Sequence, residues 1–130
     1  MYENKQSHEA EPFATKAVET FRLLPEQRNP LRMYLDTLAC IHSELGKYSE
    51  AEKEYMECLE IAEELYSQDK ENNVSGFYNE LKELSFLYYE MKDPEKFNLY
   101  KAKALHYYDE MNEEVKKACV KDYIKLKSLL

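Results

Sequence analysis

Tryptophan is absent from this chain of 130 residues, glycine occurs twice and proline four times. Two glycines are too few for the many tight turns of a β-sandwich or barrel, and they build no glycine-rich phosphate loop. No apolar run reaches the length of about 18 residues that a membrane-spanning helix requires. The opening Met1-Tyr2-Glu3-Asn4-Lys5 lacks the apolar stretch of a signal peptide. Basic residues are outnumbered, 18 against 26, for a net charge of −8. Phosphate contacts need clustered Lys and Arg, so direct nucleic-acid binding is not expected. Three cysteines, Cys40, Cys58 and Cys119, show no short spacing and form no disulfide framework. These absences point to one cytoplasmic domain over 1–130 with no membrane insertion. A chain of this length buries about two-thirds of its unfolded surface, enough for a core without staples.

What is present is helical periodicity. Leu31, Tyr34, Leu35, Leu38, Ile41, His42 and Leu45 recur at threes and fours, and Gly46 ends the stripe. Ser49 and Glu52 read as a capping box for the next stripe, Ala51, Tyr55, Cys58, Leu59, Ala62, Leu65 and Tyr66. A polar break at 69–75 precedes a third stripe, Phe77, Leu81, Leu84, Leu87, Tyr88 and Met91. Asp93-Pro94-Glu95 opens a fourth helix with Asp as cap and Pro at the first helical position. Asn112-Glu113-Glu114 opens a last one, and Phe13, Ala17, Phe21 and Leu24 mark a helix upstream. The expected fold is all-α: about six helices joined by short turns, hence antiparallel hairpins.

The hairpins repeat. Leu38-Ala39, Gly46, Tyr48, Glu50-Ala51, Tyr55 and Cys58-Leu59 form one series. Leu84-Ser85, Lys92, Pro94, Lys96-Phe97, Lys101 and Ala104-Leu105 follow 46 residues later. The first copy resembles the tetratricopeptide repeat, with Leu38-Ala39 as its first-helix pair and Gly46-Lys47-Tyr48 as its turn. Ala51 and Cys58 stand at its small second-helix positions and Tyr55 at the aromatic between them. The second copy departs from the pattern: Lys92 replaces the turn glycine, Phe97 the small residue and Lys101 the aromatic. The period exceeds the family's usual spacing of about 34 residues. Elongated repeats of this kind resemble those of kinesin light chains and of bacterial signalling receptors and sensor kinases. The expected layout is a partial repeat or N-terminal helix at 9–25, a first repeat at 31–68, a second at 74–112 and a capping helix at 113–130. The hairpins would stack as a short right-handed solenoid.

Chemistry is sparse. His8, His42 and His106 lie apart, and no HExxH-like spacing supplies a metal site. The three cysteines sit on apolar stripes and read as small buried hydrophobes. No catalytic fingerprint occurs, so neither an enzyme nor a cofactor is expected. Charge is uneven: residues 31–72 carry 4 basic and 11 acidic groups, residues 113–130 carry 5 and 3. Of the 12 tyrosines, Tyr88-Tyr89 and Tyr107-Tyr108 are adjacent, so one member of each pair must face outward.

The resemblance implies a concave groove lined by first helices that holds a protein or peptide ligand. Counted along the motif, the groove-facing positions are Met33, Asp36, Cys40, Ser43 and Glu44 in the first copy. In the second they are Asn79, Lys82, Phe86, Tyr89 and Glu90. The expected function is therefore a non-catalytic scaffold or adaptor. The alternative is a sensory or regulatory segment of a larger bacterial signalling protein, since the first repeat looks truncated. A homodimer through Phe13, Ala17 and Phe21 of the N-terminal helix is the structural alternative.

Overall fold

The computed structural model describes the backbone of residues 2–129 and the side chains of residues 5–129. Among them are six helices and no strand: α1 (Tyr2–Arg22), α2 (Arg28–Glu44), α3 (Tyr48–Gln68), α4 (Lys70–Glu90), α5 (Pro94–Asp109) and α6 (Glu113–Ser128). The chain divides into two compact units between Ile61 and Ala62, inside α3.

In the first unit α1 packs against α2. Ala14 and Val18 of α1 are buried, as are Leu31, Leu35, Leu38 and Ala39 of α2 and Ala51, Tyr55 and Cys58 of α3. Each large apolar side chain so buried contributes about 1.5–3 kcal/mol. Ala39, Ala51 and Cys58 are wholly inaccessible, and the Cys58 thiol lies 3.5 Å from the Arg32 carbonyl. Small side chains at these places let α2 and α3 come close. In the second unit α4 packs on α5, and α6 touches both. Its core holds Tyr78, Leu81, Leu84, Leu87, Tyr88, Phe97, Ala104, Tyr108 and Leu126.

Several helix ends differ from expectation. α1 begins at Tyr2, well before residue 9, and ends at Arg22, before Pro25. α3 begins at Tyr48, with the Ala51 N–H donating to the Lys47 carbonyl at 3.0 Å, so Ser49 lies inside the first turn and is not the cap. The polar break at 69–75 is helical from Lys70. Asp69 accepts from the Asn72 N–H at 3.3 Å, and the Asn73 side chain donates to the Leu65 carbonyl at 2.8 Å. Asn and Asp favour caps over helix interiors, which is why this stretch reads as a break. The later starts fall where the residues place them. Asp93 accepts from the Lys96 N–H at 3.1 Å, and Asn112 accepts from the Val115 N–H at 2.9 Å.

The turns after α2 and after α4 are copies of each other. After α2, the Gly46 N–H donates to the Ser43 carbonyl (3.1 Å) and the Lys47 N–H to the His42 carbonyl (2.8 Å). After α4, the Lys92 N–H donates to Tyr89 (3.1 Å) and the Asp93 N–H to Tyr88 (3.0 Å). This paired pattern is the Schellman motif, and it demands a left-handed residue. Gly46 has φ 78° and Lys92 has φ 60°. Lys92 therefore keeps the turn that its side chain disfavours.

Candidate partner-binding surface

The inward residues of α2 leave its opposite face open. Met33, Cys40 and Glu44 are exposed, and Asp36 and Ser43 half-buried. Spacings of three, four, three and one place all five on one side of the helix. Cys40 is thus on the surface, where its position on an apolar stripe predicted burial; Cys58 is buried and Cys119 half-buried. The α2 face is partly engaged by α1, since Ser7 donates a hydrogen bond to Glu44.

On α4 the five expected positions separate. Lys82 is buried, and its ammonium lies 3.0 Å from Asp122 of α6 and 3.1 Å from Glu83. Burial pushes this ammonium down, but the two carboxylates outweigh it and hold it above the ordinary lysine range. Phe86 is half-buried under the Lys125 ammonium of α6, 5.1 Å from the ring centre. Asn79 is half-buried, while Tyr89 and Glu90 are exposed. α6 thus lies over the α4 face at Lys82 and Phe86, and the face is open at its C-terminal end. There Tyr88, Tyr89, Glu90, Lys92, Asp93, Pro94 and Phe97 line a cleft of about 400 Å³. The Tyr89 and Phe97 rings are 5.5 Å apart. Of the adjacent tyrosines, Tyr88 and Tyr108 are buried and Tyr89 is exposed, as a helical turn of about 100° per residue dictates.

A second cleft, of about 340 Å³, lies among Tyr66, Lys70, Glu71, Val74, Glu110, Met111, Asn112 and Val115. The Tyr66 ring lies tilted against Phe77 (5.1 Å) and edge-to-face with Tyr107 (5.4 Å), and its hydroxyl donates to Glu110 at 2.7 Å. That hydrogen bond to a carboxylate, with some burial, pushes its phenol up to about 12. Cys119 is also pushed up, by burial. A raised thiol is a poor nucleophile.

The cluster around His42 had no motif to announce it. His42 is buried, and its Nε2 stands 2.6 Å from Glu11 of α1 while its Nδ1 stands 2.7 Å from Glu54 of α3. Lys47 donates to the same Glu11 oxygen at 3.1 Å, and Glu50 lies 3.8 Å from Nε2. The Lys47 hydrogen bond chiefly, against some burial and aided by His42, holds Glu11 below its ordinary range. Burial raises Glu54 more than His42 lowers it. The one available signal is the repeat: at the same offset, Tyr88 and Tyr100 take the places of His42 and Glu54. Among the described residues no group of three or more His, Cys, Asp or Glu is arranged to hold a metal ion. No helix there is long and apolar enough to cross a membrane.

Residues 31–69 match the family model of the tetratricopeptide repeat. That stretch covers α2, its turn and α3. No curated protein and no solved structure gives a significant match to the chain.

Proposed function

From the tetratricopeptide repeat at residues 31–69, we propose that this protein is a non-catalytic scaffold that binds a protein or peptide ligand. Repeats of this family are protein-interaction modules. The repeat match is the observation that carries the reading. Each unit offers its own candidate surface: in the first, the outer face of α2 at Met33, Asp36, Cys40, Ser43 and Glu44; in the second, the open end of α4 at Tyr89 and Glu90. These residues are polar, acidic and aromatic, a mixture suited to an extended peptide or a partner helix. Asn79 is half-buried farther back on α4, and Lys82 and Phe86 hold α6 against α4. The test is a displayed-peptide library panned against the whole chain. Selected peptides are then titrated by fluorescence polarisation against wild type, Asp36→Arg and Tyr89→Ala. We expect each variant to weaken binding by about tenfold, the loss of one well-placed contact. Peptides that bind both variants as tightly as wild type overturn the assignment.

A second reading, self-association through α1, has its own support. Phe13 is 78% exposed in the middle of that helix. Ala17 and Phe21 are half-buried, and Phe21 stacks on Tyr34 at 5.3 Å, so they are less available. Light scattering decides: a dimer mass that Phe13→Glu reduces to the monomer supports it, and a monomer mass at high concentration removes it.

A further inference from the structure

The cleft at the end of α4 combines aromatic rings with an exposed carboxylate. We infer that it holds an arginine side chain of a bound protein or peptide, with the guanidinium stacked on Tyr89 and paired with Glu90. The inference names the partner chemistry for the second unit's candidate surface, so it rests on the binding role proposed above. Its test uses a small probe and needs no natural partner.

The rings come first. A cation is drawn to the face of an aromatic ring, more strongly where water is partly excluded. Around the cleft the chain's own lysines take that place. The Lys96 ammonium stands 5.3 Å from the centre of the Tyr88 ring, and the Lys101 ammonium 5.5 Å from that of Phe97. Phe86, Tyr100, Tyr108 and Tyr123 lie under lysines in the same way. Tyr89 is the exposed ring of this unit, 43% accessible, and among the described residues no ammonium stands over it. At the same offset in the first hairpin, Ser43 and Ala51 stand in place of Tyr89 and Phe97, and Glu44 accepts from Ser7. The ring-lined cleft therefore belongs to the second unit.

The charges follow. Glu90, Lys92 and Asp93 line the cleft. Asp93 is committed to capping α5, where its carboxylate accepts from the Lys96 N–H at 3.1 Å. Glu90 is exposed and has no salt-bridge partner among the described residues. Lys92, exposed in the turn, is the opposing charge. A guanidinium suits this setting better than an ammonium: it is planar, so it lies flat on a phenol ring, and its fork of N–H donors reaches a carboxylate beside that ring. An anionic side chain gains Lys92 but meets Glu90 and the negative ring faces.

The experiment is an NMR titration of the full chain with a capped Gly-Gly-Arg-Gly-Gly peptide, beside the same peptide carrying citrulline or glutamate at its centre. Citrulline keeps the shape of arginine without the charge. The arginine peptide should shift the backbone amides of Tyr89, Glu90 and Phe97 and bind about tenfold tighter than the citrulline peptide. Glu90→Gln and Tyr89→Leu change exposed side chains, so the fold is kept, and each should weaken the arginine peptide by about tenfold. Lys92→Gly keeps the left-handed turn and removes the opposing ammonium, so it should tighten binding by about threefold. Equal binding of arginine and citrulline, preference for glutamate, shifts that miss the cleft, or an affinity unchanged in Glu90→Gln overturns the inference. Library peptides that bind the chain while the arginine peptide misses the cleft overturn this inference alone. A cleft that takes the arginine peptide in a chain that selects no library peptide supports the site and removes the wider reading.

Discussion

The α2–α3 and α4–α5 hairpins use the same turn and fill it differently. Leu38 and Leu84, Ala39 and Ser85, and Cys58 and Ala104 are buried in pairs at an offset of 46 residues. At four other pairs the chemistry changes. His42 meets Glu54 at 2.7 Å, whereas Tyr88 meets Tyr100 ring to ring at 5.4 Å. Tyr55 is buried, whereas Lys101 reaches out and donates to the Leu129 carbonyl at 2.6 Å, capping α6. Gly46 is replaced by Lys92. The comparison teaches that backbone hydrogen bonds and small buried residues define the hairpin, while the pair bridging its helices is free to be ionic or aromatic.

The sharpest way to break the equivalence is at the bridging pair. His42→Leu removes the group between Glu11 and Glu54, leaving Glu11 only its Lys47 partner and Glu54 without the ring nitrogen. We expect a loss of about 3 kcal/mol in urea unfolding, the order seen when one partner of a buried ion pair is removed and the rest can reach water. Tyr88→Leu should lose less, about 1–2 kcal/mol, because only area and ring contact go. Equal losses would mean that the row of charges adds nothing over packing.

The turns come next. A Cβ at position 46 meets nothing within 4 Å, so Gly46→Ala tests backbone strain alone. We expect a loss of about 1 kcal/mol. Lys92→Gly relieves the same strain and should stabilise by less than about 1 kcal/mol, because glycine also loosens the unfolded chain. A stabilising Gly46→Ala would show that the two turns differ after all. Smaller again is Lys101→Met, which removes the charge at the C-terminal end of α6 and should cost about 0.5–1 kcal/mol, with faster amide exchange confined to the end of that helix.

The smallest effect is in acid. Glu11 sits below its ordinary 4.5, so its contribution is complete above that value and is lost as pH falls through the folded pKa. Glu54 sits above 4.5, so its contribution is complete below that value and is lost as pH rises through the folded pKa. The two oppose each other, and unfolding free energy should vary little with pH from this cluster. Glu11→Gln leaves only the Glu54 contribution, so this cluster should then stabilise the protein as pH falls through Glu54's folded pKa. Denaturant midpoints compared over that range read the sign, and a steeper acid loss in the variant contradicts it.

Much of this was legible. Helical spacing gives six helices, and Gly46, Asp93-Pro94 and Asn112 give their boundaries, because turn and cap chemistry is local. The helical stretch at 69–75 was not legible, since its Asn and Asp residues serve the cap and the preceding helix end as well as a loop would use them. The placement of Lys82 and Phe86 against α6 was hidden for another reason. Motif counting places a residue relative to its own hairpin, and Asp122 and Lys125 belong to a helix outside it. The His42 row draws on three helices, so no spacing within one of them announces it.

The left-handed Lys92 has a consequence for counting. Glycine marks a hairpin in sequence only because it makes the turn cheaply, yet the turn's two hydrogen bonds form without it. A search keyed to glycine reads one hairpin in this chain where the backbone makes two, so the number of repeats in proteins of this kind is better counted by carbonyl partners than by residue letters.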